Sequence, residues 1–180
     1  GTLATAHATH SLEAFVHRER SVFCLRLTSS PAETGLTVRP LASLSPEMAQ
    51  LGYPEPRMTR HGNLWVMAQI VPEGPACSVA WTSRGDEHLL AVAVADTAET
   101  SAEHALATLK EALVIGYVAL REEHLAAWHA FWEVSAVFLP EPRMDFLWAY
   151  GLYLLASSAR RGHLPPGLQK DNQDASAPTP

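Results

Sequence analysis

The chain has 180 residues, 47% of them hydrophobic and 18% charged, so it holds enough apolar material for a core and is too apolar to be disordered as a whole. Its 13 Lys and Arg residues face 19 Asp and Glu residues, and the formal net charge of −6 argues against nucleic acid as a partner. The two cysteines, Cys24 and Cys77, lie in unrelated contexts, which leaves no disulfide framework and no paired-cysteine site. We expect two ordinary buried thiols.

The apolar runs indicate neither a membrane span nor a secretory leader. The longest run, residues 146–156, is far shorter than the roughly 20 residues that cross a bilayer. Residues 1–10 lack the cationic start and the long apolar stretch of a secretory signal. Because the chain begins at Gly1 without an initiator Met, its compartment stays open.

Short apolar or alternating runs, separated by turn residues, predict antiparallel strands between residues 12 and 97. The clearest strands are predicted at 22–27, 64–70, 77–82 and 88–95. Residues 83–86, Ser-Arg-Gly-Asp, form a hairpin signature between the last two. Residues 29–58 are rich in Pro, Gly and Ser, so we expect mostly loop there, with one candidate strand at 36–39.

The apolar period changes from strand to helix at residue 100. Thr100 and Glu103 have the spacing of a capping box, and small or apolar residues then recur every three or four positions as far as Ser135. The pattern predicts one long amphipathic helix over 101–135. At a rise of about 1.5 Å per residue it would be roughly 50 Å long, which is typical of a helix that connects two bodies.

A second helix is predicted over 143–159, after Pro140 and Pro142. Its apolar residues cover almost every direction, so the helix should be surrounded by other protein. The chain does not obviously supply enough of it, and we therefore expect exposed apolar surface and self-association. Residues 170–180 are polar and rich in Ala, Ser and Pro, which predicts a disordered tail.

One part of the chain carries a family resemblance. The residues concerned are His124, Trp128, Phe131, Trp132, Ser135, Leu139, Pro140, Pro142, the run Tyr150-Gly151-Leu152-Tyr153-Leu154-Leu155-Ala156-Ser157-Ser158, and Leu164-Pro165-Pro166-Gly167-Leu168-Gln169. With them, residues 100–169 resemble glycoside hydrolases of the family 95 type. That family belongs to the six-hairpin glycosidase group and is related to family 65.

The resemblance implies an α+β chain in three parts: the C-terminal part of an antiparallel β-sandwich, a long linker helix, and the first helical hairpin of an incomplete (α/α)6 barrel. The partial sandwich domain is expected at residues 1–99 and the linker helix at 100–139. The start of the catalytic barrel is expected at 140–169, before the tail at 170–180. The period change at residue 100 and the apolar second helix agree with this plan.

The sequence departs from the family pattern in two places. The family usually places two tryptophans three and four residues after the histidine, whereas Ala127 takes the first place here and Trp128 the second. Its Leu-Gln pair normally continues into Gly, a variable residue and Trp, but here Gln169 is followed by Lys170 and Asp171. The water-activating stretch and the acid carboxylate that come later in the relatives have no counterpart, so the resemblance implies a fragment without catalytic residues.

The function that the resemblance implies is cleavage of terminal glycosidic bonds by inversion, with an α-L-fucoside or a galactoside as substrate and no cofactor. Carbohydrate is therefore the expected partner, and Gln169 and Trp128 are the expected substrate-binding residues. No catalytic residue and no metal ligand are assigned. Two alternatives stay open: a non-catalytic carbohydrate-binding or interaction module, and a fragment of a family 65 type sugar phosphorylase.

The acids, histidines and aromatic residues of the helical region can also be explained by structural roles, without a role in catalysis or binding. We expect surface roles for the acids Glu122, Glu123, Glu133 and Glu141, and a structural role for Asp145 in the first turn of the second helix. His124 and His129 are five positions apart on a helix and diverge by more than a quarter turn, which disfavours a metal pair. His124 is expected to pack with a hydrogen bond. Aromatic residues at helical spacing are most often core; here these are Trp128, Phe131, Trp132 and Trp148.

Overall fold

The computed structural model describes residues 1–4, 9–30, 50–72, 74–134 and 137–158. Within these ranges the strands come first and the helices follow, which is an α+β arrangement. The strands are β1 (Thr2–Ala4), β2 (Thr9–Val16), β3 (Val22–Ser30), β4 (Arg57–His61), β5 (Leu64–Gln69), β6 (Ala76–Arg84) and β7 (Glu87–Ala95). The helices are α1 (Ala98–Ile115), α2 (Tyr117–Val134) and α3 (Pro142–Ser158).

The described strands form one seven-stranded sheet in the order β1-β2-β3-β7-β6-β5-β4. Every neighbouring pair is antiparallel. The four predicted strands are confirmed as β3, β5, β6 and β7, and the predicted hairpin turn lies at Gly85, whose φ of 61° suits a glycine. No individual strand was predicted at β1, β2 or β4, although the region expected to contain strands began at residue 12. All residues of β4 are exposed, so it has no apolar alternation to detect. The candidate strand at 36–39 lies outside the described residues.

Alternation along the strands gives the sheet two faces. The inner face carries Val22, Cys24, Val66 and Ala91, which form one core cluster with apolar side chains of α1 and α2. On α1 the buried members, Ala105, Leu109 and Ala112, recur at helical spacing, so the helix lies against the sheet along one stripe. The outer face is also rich in apolar residues, and Val16, Val92 and Val94 are exposed there.

Both cysteine thiols are free, as the sequence predicted. Cys24 is fully buried in the core, and this burial raises the pKa of its thiol to about 12. Cys77 is half-buried on β6, and desolvation raises its pKa as well. Because the thiolate is the reactive form, both side chains behave as small apolar residues at neutral pH.

The N-cap of helix α1 lies three residues before the predicted one. Thr97 is the N-cap, in an extended conformation with φ −123° and ψ 154°, and its hydroxyl accepts from the backbone N–H of Thr100 at 3.1 Å. Thr100 therefore lies within the first turn, and the start predicted from Thr100 and Glu103 was wrong. Thr97 takes the role because it lies two residues after the end of β7 and keeps the extended backbone that a cap requires.

The single helix predicted over 101–135 was also wrong, since Gly116 divides it into α1 and α2, of 18 residues each. Gly116 has φ 83° and ψ 156°, which a side-chain-bearing residue rarely adopts, and its N–H closes α1 by donating to the Ala112 carbonyl at 2.9 Å. The change of direction brings Tyr117 and Leu120, at the start of α2, into the core cluster. The break is therefore favoured by the free energy gained from burying Tyr117 and Leu120.

The chain divides into two compact units, residues 1–129 and 130–180. In the second unit, α3 has one buried residue, Ala156, while most of its large apolar side chains are exposed. This exposure agrees with the expectation that the chain leaves apolar helix surface uncovered. None of the helices in the described ranges has the length and apolar character that a membrane crossing requires.

The predicted fold class needs correction. In the described part of the chain the strands belong to one sheet covered by helix on its inner face, where the prediction placed part of a β-sandwich. The long linker helix is two helices, and the helical hairpin of an (α/α)6 barrel is not shown by the described residues. The physical reason is that apolar residues on both faces of a strand do not specify whether a helix or a second sheet covers them.

Candidate functional site

Trp128, one of the two predicted substrate-binding residues, is half-buried on α2. It belongs to a cluster at the turn between β2 and β3, which we call the histidine–aromatic cluster and define as Phe15, His17, Arg18, Glu123, His124 and Trp128. Phe15 and His17 are two positions apart and share the inner face of the sheet. His124 and Trp128 are four positions apart and share one face of α2. Gln169, the other predicted residue, lies outside the described residues.

The rings of this cluster are in contact. The centroids of Phe15 and His124 are 4.7 Å apart, and those of His124 and Trp128 are 6.4 Å apart with the rings edge to face. The guanidinium carbon of Arg18 lies 4.8 Å from the centroid of the Trp128 ring, which is a cation–π contact. Trp128 therefore takes part in local packing and also carries a cation on one of its faces.

The polar side of the cluster centres on His17, which is 1% exposed. Its Nδ1 accepts from the backbone N–H of Glu19 at 3.1 Å, so neutral His17 carries its hydrogen on Nε2. That Nε2 lies 3.6 Å from Oε2 of Glu123, and the same carboxylate oxygen accepts from Arg20 at 3.3 Å. Glu123 is therefore exposed, as the sequence predicted, and its carboxylate also contacts the buried His17.

His124 packs as the sequence predicted, but without the expected hydrogen bond at Nδ1, which is buried and has no partner among the described residues. Burial lowers the pKa of His124, and the nearby His17 and Arg18 lower it further. The ring is therefore neutral at pH 7. His129 is exposed, in agreement with its expected divergence from His124. The described residues contain no group of three or more side chains placed to hold a metal ion.

The remaining acids of the helical region have structural roles or lie exposed. The carboxylate of Glu141 accepts from the backbone N–H groups of Arg143 at 3.1 Å and Met144 at 2.7 Å, which caps the start of α3. Asp145 accepts from the N–H of Leu139 at 3.0 Å. Glu122 and Glu133 are exposed. The predicted surface and structural roles of these acids are confirmed.

Sequence reasoning missed a small groove between β4 and the start of α1. It has a volume of about 220 Å³ and is lined in part by Arg57, His61, Glu99 and Glu103. Arg57 donates to Glu99 at 3.0 Å across one side of it. No sequence signal marked this groove, because residues 29–58 were predicted to be mostly loop. The ion pair neutralises Arg57 and Glu99, and the groove is too small for more than a small polar molecule.

A scan against protein-family models, a search of curated proteins and a search of solved structures each found no match. What this chain does is therefore inferred from its own sequence pattern and geometry.

Proposed function

We propose that this chain is a non-catalytic part of a glycoside hydrolase that resembles the family 95 type. The whole enzyme removes terminal sugars, with an α-L-fucoside or a galactoside as substrate, by inversion and without a cofactor. The residues of this chain contribute support and a carbohydrate contact, while the catalytic carboxylates come from elsewhere. The proposal is carried by the pattern in residues 124–169 together with the placement of the described acids.

Inverting hydrolysis needs a carboxylic acid whose pKa is raised and a carboxylate base, about 6.5 to 9.5 Å apart on opposite sides of the sugar. Two of the described acids, Glu13 and Glu99, have pKa values moved the wrong way for an acid catalyst. A hydrogen bond from Arg121 lowers the pKa of Glu13, and hydrogen bonds from its own backbone amide and from Arg57 lower the pKa of Glu99. Because these carboxylates are held in the ionised form, they do not donate a proton at neutral pH.

The carbohydrate contact is proposed at Trp128. An aromatic ring beside a few charged or polar groups is the usual composition of a small-molecule site, and Arg18 and Glu123 provide such groups here. The proposed sugar contacts the exposed part of the Trp128 indole beside the Arg18 guanidinium. Gln169 is proposed as a second sugar contact from the resemblance alone.

The test combines binding and turnover on the purified chain. Oligosaccharides that end in α-L-fucose or in galactose are titrated while tryptophan fluorescence is recorded, and hydrolysis of aryl α-L-fucosides and aryl galactosides is followed in parallel. We expect saturable binding of one sugar and no turnover above the buffer control. Trp128→Ala should weaken binding by about tenfold or more, as expected for a central aromatic contact. His129→Ala, an exposed change on the same helix, should leave binding unchanged.

The variants separate a sugar contact from a folding defect. Trp128→Phe keeps a ring against His124 and should keep most of the binding, with a circular dichroism spectrum like that of the unchanged chain. Turnover by the chain would overturn the non-catalytic role. Failure of both sugars to bind would overturn the carbohydrate role.

A further inference from the structure

Helix α2 is held in its unit more firmly by its first turn than by the residues that follow. Tyr117 and Leu120 are 2% and 0% exposed and belong to the core cluster. From residue 121 to residue 129, by contrast, no side chain is buried. We call residues 121–129 the outer segment of α2. Segments with few buried contacts are the ones that open locally while the rest of a protein stays folded.

Charged side chains attach the outer segment to the strand region. Glu123 accepts from Arg20 at 3.3 Å and lies 3.6 Å from Nε2 of His17. Arg121 donates to Glu13 at 2.6 Å. Both carboxylates are thus already paired with an arginine. The attachment therefore depends on the balance of charge around it, and one added proton alters that balance.

His124 is the position in the outer segment where an added charge is poorly accommodated. Its ring centroid lies 4.7 Å from that of Phe15 and 6.1 Å from that of His17. Its Nδ1 is buried and has no hydrogen-bond partner among the described residues. The guanidinium of Arg18 is close by, against the Trp128 ring. A positive charge on His124 would therefore meet an aromatic ring, a second histidine and an arginine.

The carboxylates of this region do not offset these neighbours. Glu123 faces His17 and Arg20, Glu13 faces Arg121, and Glu122 on the same helix and Glu19 in the turn between β2 and β3 are exposed. Burial lowers the pKa of His124, and His17 and Arg18 lower it further. The closed arrangement of the outer segment therefore holds neutral His124.

We propose that protonation of His124 releases the outer segment of α2 from the turn between β2 and β3, while the first turn of the helix stays in place. Both nitrogens of an imidazolium are donors, so Nδ1 needs an acceptor that the described residues do not supply in the closed arrangement. Water becomes that acceptor once the ring leaves Phe15. Release costs little buried area because no side chain of the outer segment is buried.

The anchor and the pH range follow from the same contacts. Tyr117 stays in place because its ring is in the core and its phenol donates to Glu13. Since the closed state favours neutral His124, it loses stability relative to the released state as the pH falls below about 6.5, the ordinary pKa of histidine. Release uncovers Phe15 and Trp128. The proposal does not depend on carbohydrate binding.

Hydrogen exchange of the whole chain, followed by mass spectrometry at pH 7.5, 6.5 and 5.5, tests the release. Each rate is divided by that of an unstructured peptide at the same pH, which gives a protection factor. A short helix without tertiary contacts is marginal in water, so the released segment exchanges. The protection of amides 124–129 should fall by about threefold to tenfold between pH 6.5 and 5.5, since one proton changes an equilibrium by at most about tenfold per pH unit. Amides 105–112 of α1 should keep their protection.

Two variants assign the effect to His124. His124→Phe keeps a ring beside Phe15 but has no proton to gain, so the protection of amides 124–129 should be the same at pH 6.5 and 5.5. Arg18→Gln removes a neighbouring cation, which makes protonation of the closed state easier and should make the change with pH smaller. His129→Gln is the matched control on the same helix.

Three results would contradict the proposal. The first is equal protection of amides 124–129 at pH 6.5 and 5.5 in the unchanged chain. The second is an undiminished loss in His124→Phe, whose circular dichroism spectrum at pH 7.5 should match that of the unchanged chain. The third is an equal loss over amides 105–112, which would mean global unfolding. If His124→Phe does not fold, Arg18→Gln decides: a smaller change with pH supports the release, and an unaltered change contradicts it.

Discussion

The phenol of Tyr117 donates a hydrogen bond to the carboxylate of Glu13 across 3.2 Å, joining the first turn of α2 to strand β2. Tyr117 is 2% exposed, and its burial together with the Glu13 charge raises the pKa of the phenol to about 12. The hydroxyl therefore remains a donor at neutral pH. The other carboxylate oxygen of Glu13 accepts from Arg121 at 2.6 Å, so one acid fixes two residues of α2 to the sheet.

Tyr117→Phe removes this hydrogen bond and keeps the buried ring. We expect the free energy of unfolding to fall by about 0.5–1.5 kcal/mol, the usual net value of one intramolecular hydrogen bond. Urea unfolding followed by circular dichroism measures it. Arg121→Ala should cost less than about 1 kcal/mol, because the Arg121–Glu13 pair is 43% exposed on both sides. A larger loss from Arg121→Ala than from Tyr117→Phe would contradict the assignment of the phenol as the main anchor.

Ser78 on β6 and Ser101 on α1 form a hydroxyl pair 2.6 Å apart, and both side chains are fully buried. Ser101 also donates to the carbonyl of Ala98 at 3.1 Å, so its single hydrogen is used and Ser78 is the donor within the pair. Ser101→Ala leaves the Ser78 hydroxyl buried without a partner and should cost about 1–3 kcal/mol. Ser78→Ala leaves Ser101 bonded to Ala98 and should cost less.

The double variant Ser78→Ala, Ser101→Ala checks this asymmetry, because replacing both hydroxyls leaves nothing unpaired between the strand and the helix. Its free energy of unfolding should be equal to or above that of Ser101→Ala alone. Simple addition of the two single losses in a chemical denaturation cycle would show that the two hydroxyls act independently.

Gly116→Ala tests the break between α1 and α2. A Cβ at Gly116 meets no atom within 4 Å, so the cost comes from its φ of 83° alone and should be about 1–3 kcal/mol. Gly151→Ala is the matched control, since a Cβ there also meets nothing within 4 Å but the residue is helical, and it should stabilise α3 by up to about 1 kcal/mol. Thermal unfolding compares the two. An increase of helix content with unchanged stability in Gly116→Ala would mean that the sequence readily forms one continuous helix.

Stability should fall as the pH drops through about 6.5. Burial lowers the pKa of His124 and also that of His88, so below the unfolded value of about 6.5 the unfolded chain binds these protons more readily than the folded one. The free energy of unfolding therefore rises with pH between the lowered pKa values and 6.5. Each group contributes a slope of at most about 1.4 kcal/mol per pH unit.

His124→Phe removes one of the two titrating groups and should flatten this slope, measured as urea midpoints from pH 7.5 down to 5.5. His129→Gln, an exposed replacement on the same helix, is the matched control. An equal slope in His124→Phe would assign the effect to other groups. Glu13 contributes to stability over a lower pH range. Its pKa is lowered in the folded chain, so its contribution to the free energy of unfolding is lost only as the pH falls below about 4.5.

The interior strands and the turns between them were predictable from the sequence because their signals are local. β3, β5, β6 and β7 each have apolar or alternating residues bounded by turn residues, and Gly62 and Gly85 lie where positive φ is required. Helical periodicity likewise predicted α3 and its uncovered apolar residues. Trp128 and His124 were recognisable as neighbours on one face of a helix, since four positions make slightly more than one turn.

The rest depended on contacts between distant parts of the chain. Thr97 rather than Thr100 starts α1, and Gly116 ends it, because those choices bring Ser101 onto Ser78 and Tyr117 onto Glu13. The contact of His17 with Glu123 joins residues more than a hundred positions apart, and no local pattern encodes that meeting. The sequence by itself determined the four central strands β3, β5, β6 and β7, the change from strand to helix near residue 100, and helix α3. Only the tertiary structure decided which face is covered and by what, because burial energy depends on the partner as much as on the residue that it covers.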